Sequence, residues 1–384
     1  MAQIKHHIPK ASSAAQETTE VVADLKDQLG DGPFSVLFYF SAGKYDLSEI
    51  GKVLSVSYPD IPIIGCTTAG VIDDGGYNQA GICAFGLPED KFNVAVDLIT
   101  PVSEIDMVGW RQSARTLVDQ LHSRSGDTLA ENTFGFLLVD GMSLAEENVL
   151  SAIHPELGDI PLFGGSAGDD LKFHETQLFC CGQTVTDGAA LILINTSCPF
   201  KVFRTQHFVE TARKMVITEA DPHSRIVKEI NASPATEEYA RLIGVPHSEL
   251  TPLTFAKHPV MVRVGGSYYV RSIQRPEGAD GLKFFCAIDE GLVLTLAEGR
   301  DMTTNLEETM KEIQQEIGVP ELIIGCDCIF RKLELEQKGD HRLDEVSEIF
   351  KQNNVVGFNT YGEQFSGMHV NQTLTGVAIG WPHD

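Results

Sequence analysis

One short segment recurs three times in this chain of 384 residues. Each copy is an apolar run that ends in a small, hydroxyl-bearing turn bounded by glycine. The copies are Pro-Ile-Ile-Gly-Cys-Thr-Thr-Ala-Gly at 62–70, Pro-Leu-Phe-Gly-Gly-Ser-Ala-Gly at 161–168 and, more loosely, Val-Val-Gly-Phe-Asn-Thr-Tyr-Gly-Glu at 355–363. We call them the glycine segments. Such repeats constrain the architecture, because each copy is expected to fold as the same supersecondary unit.

Each glycine segment belongs to a longer unit. An apolar strand precedes it at 35–40, 134–139 and 322–326, and another follows it at 81–86, 188–193 and 376–380. A helical pattern separates the first strand from the segment. Short apolar strands that alternate with helices are typical of α/β domains. The sequence therefore predicts an α/β fold, in which repeated strand-helix-strand-strand units form mixed sheets covered by helices.

Several helix boundaries are predicted from local signals. Capping-box spacing occurs at Asp46–Glu49, Ser143–Glu146 and Thr304–Glu307. Ser233 and Pro234 are typical of a helix start, and a further amphipathic helix is predicted from 103 to about 122. Residues 12–29 have the pattern of a peripheral helix, and 260–270 that of a hairpin across two glycines.

Composition limits the classes of function. The chain has 54 acidic and 29 basic residues, and its formal net charge of −25 argues against binding to nucleic acid or to an anionic membrane. No apolar stretch approaches the roughly 20 residues that span a bilayer. The eight cysteines lie mostly in strand patterns, which is typical of reduced thiols. We therefore expect a cytoplasmic protein, and, because the spacing shows no nucleophile beside a base, we expect that it is not an enzyme.

Sequence spacing alone identifies no catalytic or metal site. Cys66 lies at a strand end, but the other glycine segments have Gly165 and Phe358 at that place, which favours a shared tight turn over shared chemistry. Neither the pair Cys326 and Cys328 nor the pair Cys180 and Cys181 has zinc-site spacing. Histidines in ordered contexts are His174, His207, His258 and His369, and each is more often a core residue than a ligand.

The sequence resembles the FIST family. Residues 64–70 and 164–170 are similar to the N-terminal part of FIST domains, and 230–239, 258–259, 269–271 and 357–363 to the C-terminal part. The resemblance implies a sensory module that binds small ligands in bacterial signal transduction. It also implies a helical N-terminal extension at 1–30, a FIST N-like domain with two internal repeats at 31–225 and a FIST C-like domain at 226–384.

Two stretches, 206–208 and 362–373, resemble a narrower branch, the stand-alone FIST proteins that sense nitric oxide. This resemblance implies non-covalent haem b as cofactor, nitric oxide as ligand, and a histidine kinase or a cyclic-di-GMP enzyme as partner. Its first candidate for the axial ligand is His207 and its second is His369, while Arg204 and Arg271 are candidates to pair with the haem propionates. A homodimer is common among such sensors.

Two alternatives remain open at the level of sequence. The chain is a FIST module that binds a small polar metabolite, such as an amino acid, without iron, or it is an enzyme that uses Cys66 or the 166–169 region. The first alternative places a ligand among the acidic and hydroxyl-bearing turns. The second requires a base within hydrogen-bond reach of a nucleophile.

Overall fold

The computed structural model describes residues 7–126, 128–336 and 341–382. Its elements form three units with the same order. The first unit consists of β1 (Lys10–Ser13), α1 (Thr18–Leu29), β2 (Phe34–Ala42), α2 (Leu47–Ser57), β3 (Ile63–Thr68), β4 (Val71–Asp73), β5 (Gly76–Asn78) and β6 (Ile82–Pro88). The second consists of β7 (Phe92–Ile99), α3 (Met107–Ser125), β8 (Thr133–Val139), α4 (Glu146–Leu157), β9 (Leu162–Ser166), β10 (Leu178–Cys180), β11 (Gln183–Val185) and β12 (Ala189–Thr196).

The third unit begins at β13 (Phe200–Thr205) and is interrupted by an insertion. The insertion consists of β14 (Phe208–Asp221), β15 (Ile226–Ile230), β16 (Ser233–Pro234), α5 (Ala235–Ile243), a 3-10 turn (His247–Glu249), α6 (Pro252–Lys257), β17 (Val260–Val264), β18 (Ser267–Arg271), β19 (Ile273–Glu277), β20 (Gly281–Phe284) and β21 (Val293–Gly299). The unit then continues with α7 (Met302–Ile317), β22 (Leu322–Cys328), α8 (Ile329–Leu335), α9 (Arg342–Gln352), β23 (Val355–Thr360), β24 (Glu363–Phe365), β25 (Met368–Val370) and β26 (Leu374–Ile379).

The three units have the same strand pairing. In each, the strand of the glycine segment runs parallel to the strand before the helix: β3 to β2, β9 to β8 and β23 to β22. The last strand of each unit (β6, β12 or β26) pairs antiparallel with the free side of β2, β8 or β22. The first strand of the unit (β1, β7 or β13) pairs with this last strand and forms the edge of the sheet. The predicted α/β architecture of repeated units is therefore confirmed, and each unit also includes an edge strand and a helix that lie upstream of the predicted unit.

The hairpin of each unit pairs with a different unit. Hairpin β4–β5 of the first unit extends the sheet of the third at β23, β10–β11 of the second extends the first at β3, and β24–β25 of the third extends the second at β9. The result is three six-stranded sheets, each completed by a neighbour. The units are therefore joined by backbone hydrogen bonds in a closed ring and do not form separable domains.

A shared core lies between the three sheets. Alternate residues of each strand point inward, and the aromatic rings of different units meet there. Phe38 of the first unit lies 5.5 Å from Phe136 of the second, and Phe40 of the first unit lies 4.4 Å from Phe358 of the third, measured between ring centroids. The outward residues are covered by helices, as Leu37 and Tyr39 are by α1 and α2. None of the described helices is long and apolar enough to span a bilayer.

The helix boundaries correct several predictions from local signals. Asp46 caps α2 as predicted, since its carboxylate accepts from the backbone N–H of Glu49 at 2.9 Å. At α7 the cap is Asp301, one turn earlier than predicted, and α4 begins only at Glu146 because the Ser143 hydroxyl donates to the Asp140 carbonyl instead. Helix α5 begins after Pro234 and α3 spans Met107–Ser125.

The insertion carries the predicted hairpin, β17–β18, in a sheet ordered β18-β17-β21-β14-β15-β20-β19. Strands β14 and β15 of this sheet pair antiparallel with each other. The predicted domain boundary between residues 225 and 226 therefore falls inside this hairpin. In the N-terminal extension, helix α1 buries the predicted face of Val21, Val22, Leu25 and Leu29. Strand β1 attaches this extension to the sheet of the first unit.

The glycine that the segments share is not a turn residue, contrary to the prediction. Gly65, Gly164 and Gly357 lie within strands, at the same register against the neighbouring parallel strand. A Cβ at Gly65 would overlap the ring of Tyr39, and one at Gly357 would overlap the carbonyl of Gly325. Glycine is needed here because the two parallel strands approach closely, not because of a positive φ.

The substitution Gly357→Ala is therefore expected to lower the free energy of unfolding by at least about 2 kcal/mol, since the backbone of β22 must shift. Gly325→Ala is the matched control on the same ladder: its nearest neighbours are side-chain methyl groups 3.2 and 3.4 Å away, which can adjust. Urea titration of both variants measures the difference. Equal stability of the two variants would show that the close approach is not the reason for glycine.

Candidate functional site

Three of the four candidate ligand residues meet at the exchanged hairpin β24–β25. The Arg204 guanidinium at the end of β13 lies 4.8 Å from the ring centroid of Tyr269 and 5.4 Å from that of Phe365. Arg271, at the end of β18, donates to the backbone carbonyl of His369 at 3.0 Å. We call these five residues the hairpin cluster. It joins the third unit to the insertion.

His369 is the neutral imidazole of this cluster. Its side chain is buried, and burial lowers its pKa against the opposing charges of Glu147 and Glu146. Nε2 lies 3.4 Å from the amide nitrogen of Asn371, and Nδ1 is buried without a hydrogen-bond partner among the described residues. A buried ring nitrogen without a partner is costly, so this position calls for an explanation.

Arg204 carries the second buried polar atom of the hairpin cluster that lacks a hydrogen-bond partner among the described residues. Its Nη1 is buried and has no hydrogen-bond partner in the described part of the chain. Burial lowers the pKa of Arg204, and Tyr269 opposes this shift. The guanidinium is therefore held by the two aromatic rings of the cluster, while part of its donor capacity remains unused.

His207 lies in a different environment. Its Nε2 is 2.9 Å from a carboxylate oxygen of Glu334, and its Nδ1 is 3.4 Å from Nη1 of Arg331. Burial lowers its pKa, although the hydrogen bond to Glu334 acts in the opposite direction. Arg331 in turn binds the carboxylate of Asp327 at 2.7 Å, and the Tyr77 hydroxyl donates to the same carboxylate at 2.6 Å. His207 is thus part of a buried polar network that ties α8 to β22.

The space beside His207 is small and polar. A cavity of about 360 Å³ adjoins it. Its lining is Gln206, His207, Val209, Arg300, Asp301, Thr304, Asn305 and Glu308. Both ring nitrogens of His207 already have polar neighbours, Glu334 and Arg331, so neither is free to bind iron in this arrangement. His207, the first candidate from sequence, does not fit an axial haem ligand.

The hairpin cluster fits haem in its donor set, because it combines one neutral imidazole, two arginines and two aromatic rings. It does not offer open space, since Nδ1 of His369 is inaccessible and the ring packs against Gly362. Loading would therefore require the hairpin to move from its neighbours. Among the described residues, no group of three or more His, Cys, Asp or Glu side chains is placed to hold a metal ion by itself.

A second candidate site is a cleft of about 520 Å³ between the first and second units, beyond the carboxyl end of β3. Its lining is Gly43, Tyr45, Asp46, Ser48, Thr67, Asp169, Lys172, His174, Glu175, Gln177 and Thr184. Asp169 fixes the loop, because its carboxylate accepts from the backbone N–H groups of Phe173, His174 and Glu175. The hydroxyl of Thr184 is buried and has no hydrogen-bond partner within the described ranges.

Sequence reasoning found the cleft only in part. The metabolite alternative placed a ligand among the acidic and hydroxyl-bearing turns without naming residues; Thr67 of the first glycine segment and Asp169, directly after the second, do line the cleft. Lys172, His174 and Thr184 carry no signal, because they reach the cleft through the loop and hairpin that the second unit places on the first. Cys66 is buried among apolar side chains, and burial raises its pKa well above the ordinary value, which disfavours the nucleophilic thiolate.

Comparison with known proteins identifies two family matches. The FIST N domain matches residues 35–233 and the FIST C domain matches residues 235–366. Among solved structures, a cyanuric acid hydrolase from A. caulinodans is 9% identical with a TM-score of 0.29, covering 49% of this chain and 70% of that chain. A second cyanuric acid hydrolase is 7% identical with a TM-score of 0.38, covering 97% and 99%. Neither TM-score indicates a common fold, and no curated protein matches the chain.

Proposed function

Since the chain belongs to the FIST family, whose domains are sensory modules of signal transduction, we propose that it is a haem-based sensor of nitric oxide that holds haem b at the hairpin cluster. His369 would hold the iron, and Arg204 and Arg271 would pair with the propionates. Its output passes to a partner, a histidine kinase or a cyclic-di-GMP enzyme.

The observation that supports this proposal is the unpaired Nδ1 of a buried, neutral His369. An imidazole must be neutral to bind iron, and burial keeps it so. When bound, a haem iron held by one imidazole can take a diatomic gas on its other face. The unpaired Nη1 of Arg204 supports the same assignment, because a propionate would satisfy it.

The position of His369 also supports a sensory role. Hairpin β24–β25 belongs to the third unit, pairs with β9 of the second and contacts the insertion through Arg271. A displacement of His369 would therefore act on three parts of the molecule at once. A ligand that favours one position of the hairpin over another would shift the balance between two states of the whole protein.

The decisive experiment is the visible absorption spectrum of the protein expressed with haem supply. We expect a Soret band that shifts when nitric oxide is added. A colourless protein that also fails to take up added haemin would overturn the proposal. Co-purification with a kinase or cyclic-di-GMP enzyme encoded in the same genome then tests the output.

The cleft between the first two units supports a second candidate function, the sensing of a small polar ligand without iron. The supporting observation is the buried, unpaired hydroxyl of Thr184 in a cleft lined by hydroxyl and acidic groups. These groups bind ammonium and hydroxyl groups of metabolites well, and the two roles do not compete for residues.

A thermal-shift screen of amino acids and other small polar metabolites tests this candidate, because a ligand of the native state raises its stability. For any compound that raises the melting temperature, Thr184→Val is expected to weaken binding by about tenfold, or about 1.4 kcal/mol. Thr186→Val, exposed and outside the lining, is the matched control. A compound that binds both variants equally does not use this cleft.

A further inference from the structure

Two adjacent cysteines stand at the turn of hairpin β10–β11, the hairpin that also carries Thr184 to the cleft. The Sγ atoms of Cys180 and Cys181 are 3.8 Å apart. Cys180 is 1% exposed and belongs to the shared core, while Cys181 is exposed. The pair therefore combines one accessible thiol with one protected thiol in direct contact.

The turn does not account for cysteine at this position. Cys181 and Gly182 have φ values of 50° and 86°, which is the geometry of a two-residue type I′ turn. Such turns favour Asn followed by Gly, because the first residue must adopt a positive φ. Cysteine does not stabilise this backbone conformation, so the turn does not explain why a thiol is present at position 181.

The contact between the two thiols makes them unequal. The hydrogen bond from the Cys180 thiol lowers the pKa of Cys181 to about 7, despite partial burial and the nearby Asp97. The same hydrogen bond, together with burial, raises the pKa of Cys180. Of the two thiols, Cys181 therefore loses its proton first, and the resulting thiolate touches a protonated thiol.

We infer that Cys180 and Cys181 form a peroxide-reactive dithiol, which closes to a vicinal disulfide. The Cys181 thiolate attacks one peroxide oxygen, the O–O bond breaks, and the leaving hydroxide takes a proton to become water. The Cys180 thiol then attacks the sulfur of the resulting sulfenic acid, and the hydroxyl group leaves as a second water with the thiol proton. Two thiols are oxidised, and one hydrogen peroxide is reduced to two waters.

Closure requires two movements. The two sulfurs must approach from 3.8 Å to about 2.0 Å. The peptide between Cys180 and Cys181 must also twist, because adjacent Cα atoms are about 3.8 Å apart and ordinary disulfides span at least about 4.4 Å. The Cys181 N–H donates to the Ile63 carbonyl at 3.1 Å, so this twist takes place next to the backbone contact between the hairpin and the first unit. Hairpin β10–β11 belongs to the second unit and extends the sheet of the first unit at β3. The modification therefore lies where these two units meet.

Peptide mapping of the full-length protein tests the inference. After treatment with hydrogen peroxide, the tryptic peptide 173–201, which also contains Cys198, should be lighter by two hydrogens and should take up iodoacetamide at Cys198 alone until dithiothreitol is added. Before oxidation, Cys181 should react with iodoacetamide at pH 7 about tenfold faster than an ordinary exposed cysteine. Recovery of both residues as free thiols after peroxide treatment would overturn the inference.

Two variants separate closure from simple oxidation. Cys180→Ser should leave Cys181 as sulfenic acid, which dimedone traps in high yield, whereas the wild type should give little dimedone adduct. Cys198→Ser removes a buried cysteine from the same tryptic region and should not change the result. If the wild type accumulates as much adduct as Cys180→Ser, Cys180 is not a resolving thiol. The wild-type mass measurement stands even if a variant fails to fold.

Discussion

Replacement of Asp327 by Ala is expected to lower the free energy of unfolding by about 3–5 kcal/mol. The Asp327 carboxylate is fully buried and accepts from Arg331 at 2.7 Å and from Tyr77 at 2.6 Å. Burial raises its pKa, and the charge of Arg331 opposes that shift. Without Asp327, the buried guanidinium loses its closest counter-charge, and its Nη2 already has no hydrogen-bond partner among the described residues.

The control is Glu307→Ala. Glu307 forms an ion pair with Lys311 at 3.6 Å, and both side chains are at least half exposed, so its loss should cost less than about 1 kcal/mol. Chemical denaturation followed by circular dichroism compares the two variants. A change of less than 1 kcal/mol for Asp327→Ala would mean that the buried network does not hold α8 against β22.

The variant His369→Ala is expected to abolish the Soret band of the purified protein. Its imidazole is the group that the proposal assigns to the iron, so haem affinity should fall by at least about tenfold, or about 1.4 kcal/mol. Added free imidazole should restore part of the absorption, because it can occupy the space of the deleted ring. This rescue distinguishes a lost ligand from a misfolded protein.

The matched variant is His207→Gln, which retains a polar side chain beside Glu334. We expect it to keep the wild-type ratio of haem to protein while it lowers stability, since His207 belongs to the Arg331 network. The opposite pattern, with pigment lost in His207→Gln and kept in His369→Ala, would assign the axial ligand to His207. Both proteins are compared at equal concentration by absorption at the Soret maximum and by thermal melting.

Local sequence pattern predicted the repeated elements of the fold. The apolar run at 35–40 predicted a strand but not its faces. The structure directs Phe38 and Phe40 toward the shared core and Leu37 and Tyr39 toward the helices. The three glycine segments predicted three equivalent units, because similar segments are expected to fold as the same supersecondary unit. Helix ends were less reliable, since acids and hydroxyls compete for the cap within one turn, as Asp301 and Thr304 do.

Resemblance to a family, and not spacing, supplied the four candidate residues. The sequence ranked His207 above His369 from their positions in two similar stretches. The structure separates them, because the ring nitrogens of His207 face Glu334 and Arg331 whereas Nδ1 of His369 faces no polar atom among the described residues. The hydrogen-bond partners of the His207 ring lie more than 120 residues away in the sequence. No local pattern therefore predicts which histidine has partners for both ring nitrogens.

The sequence by itself determined the number of units, the strand-helix-strand-strand order at the centre of each, and the buried face of helices such as α1, since these depend on the pattern of neighbouring residues. Only the tertiary structure decided which unit receives each hairpin, and therefore which residues share a site. Hairpins β4–β5, β10–β11 and β24–β25 have strands of three residues each. Their partners are chosen by backbone hydrogen bonds, which are the same for every residue type, and by packing in a core to which all three units contribute.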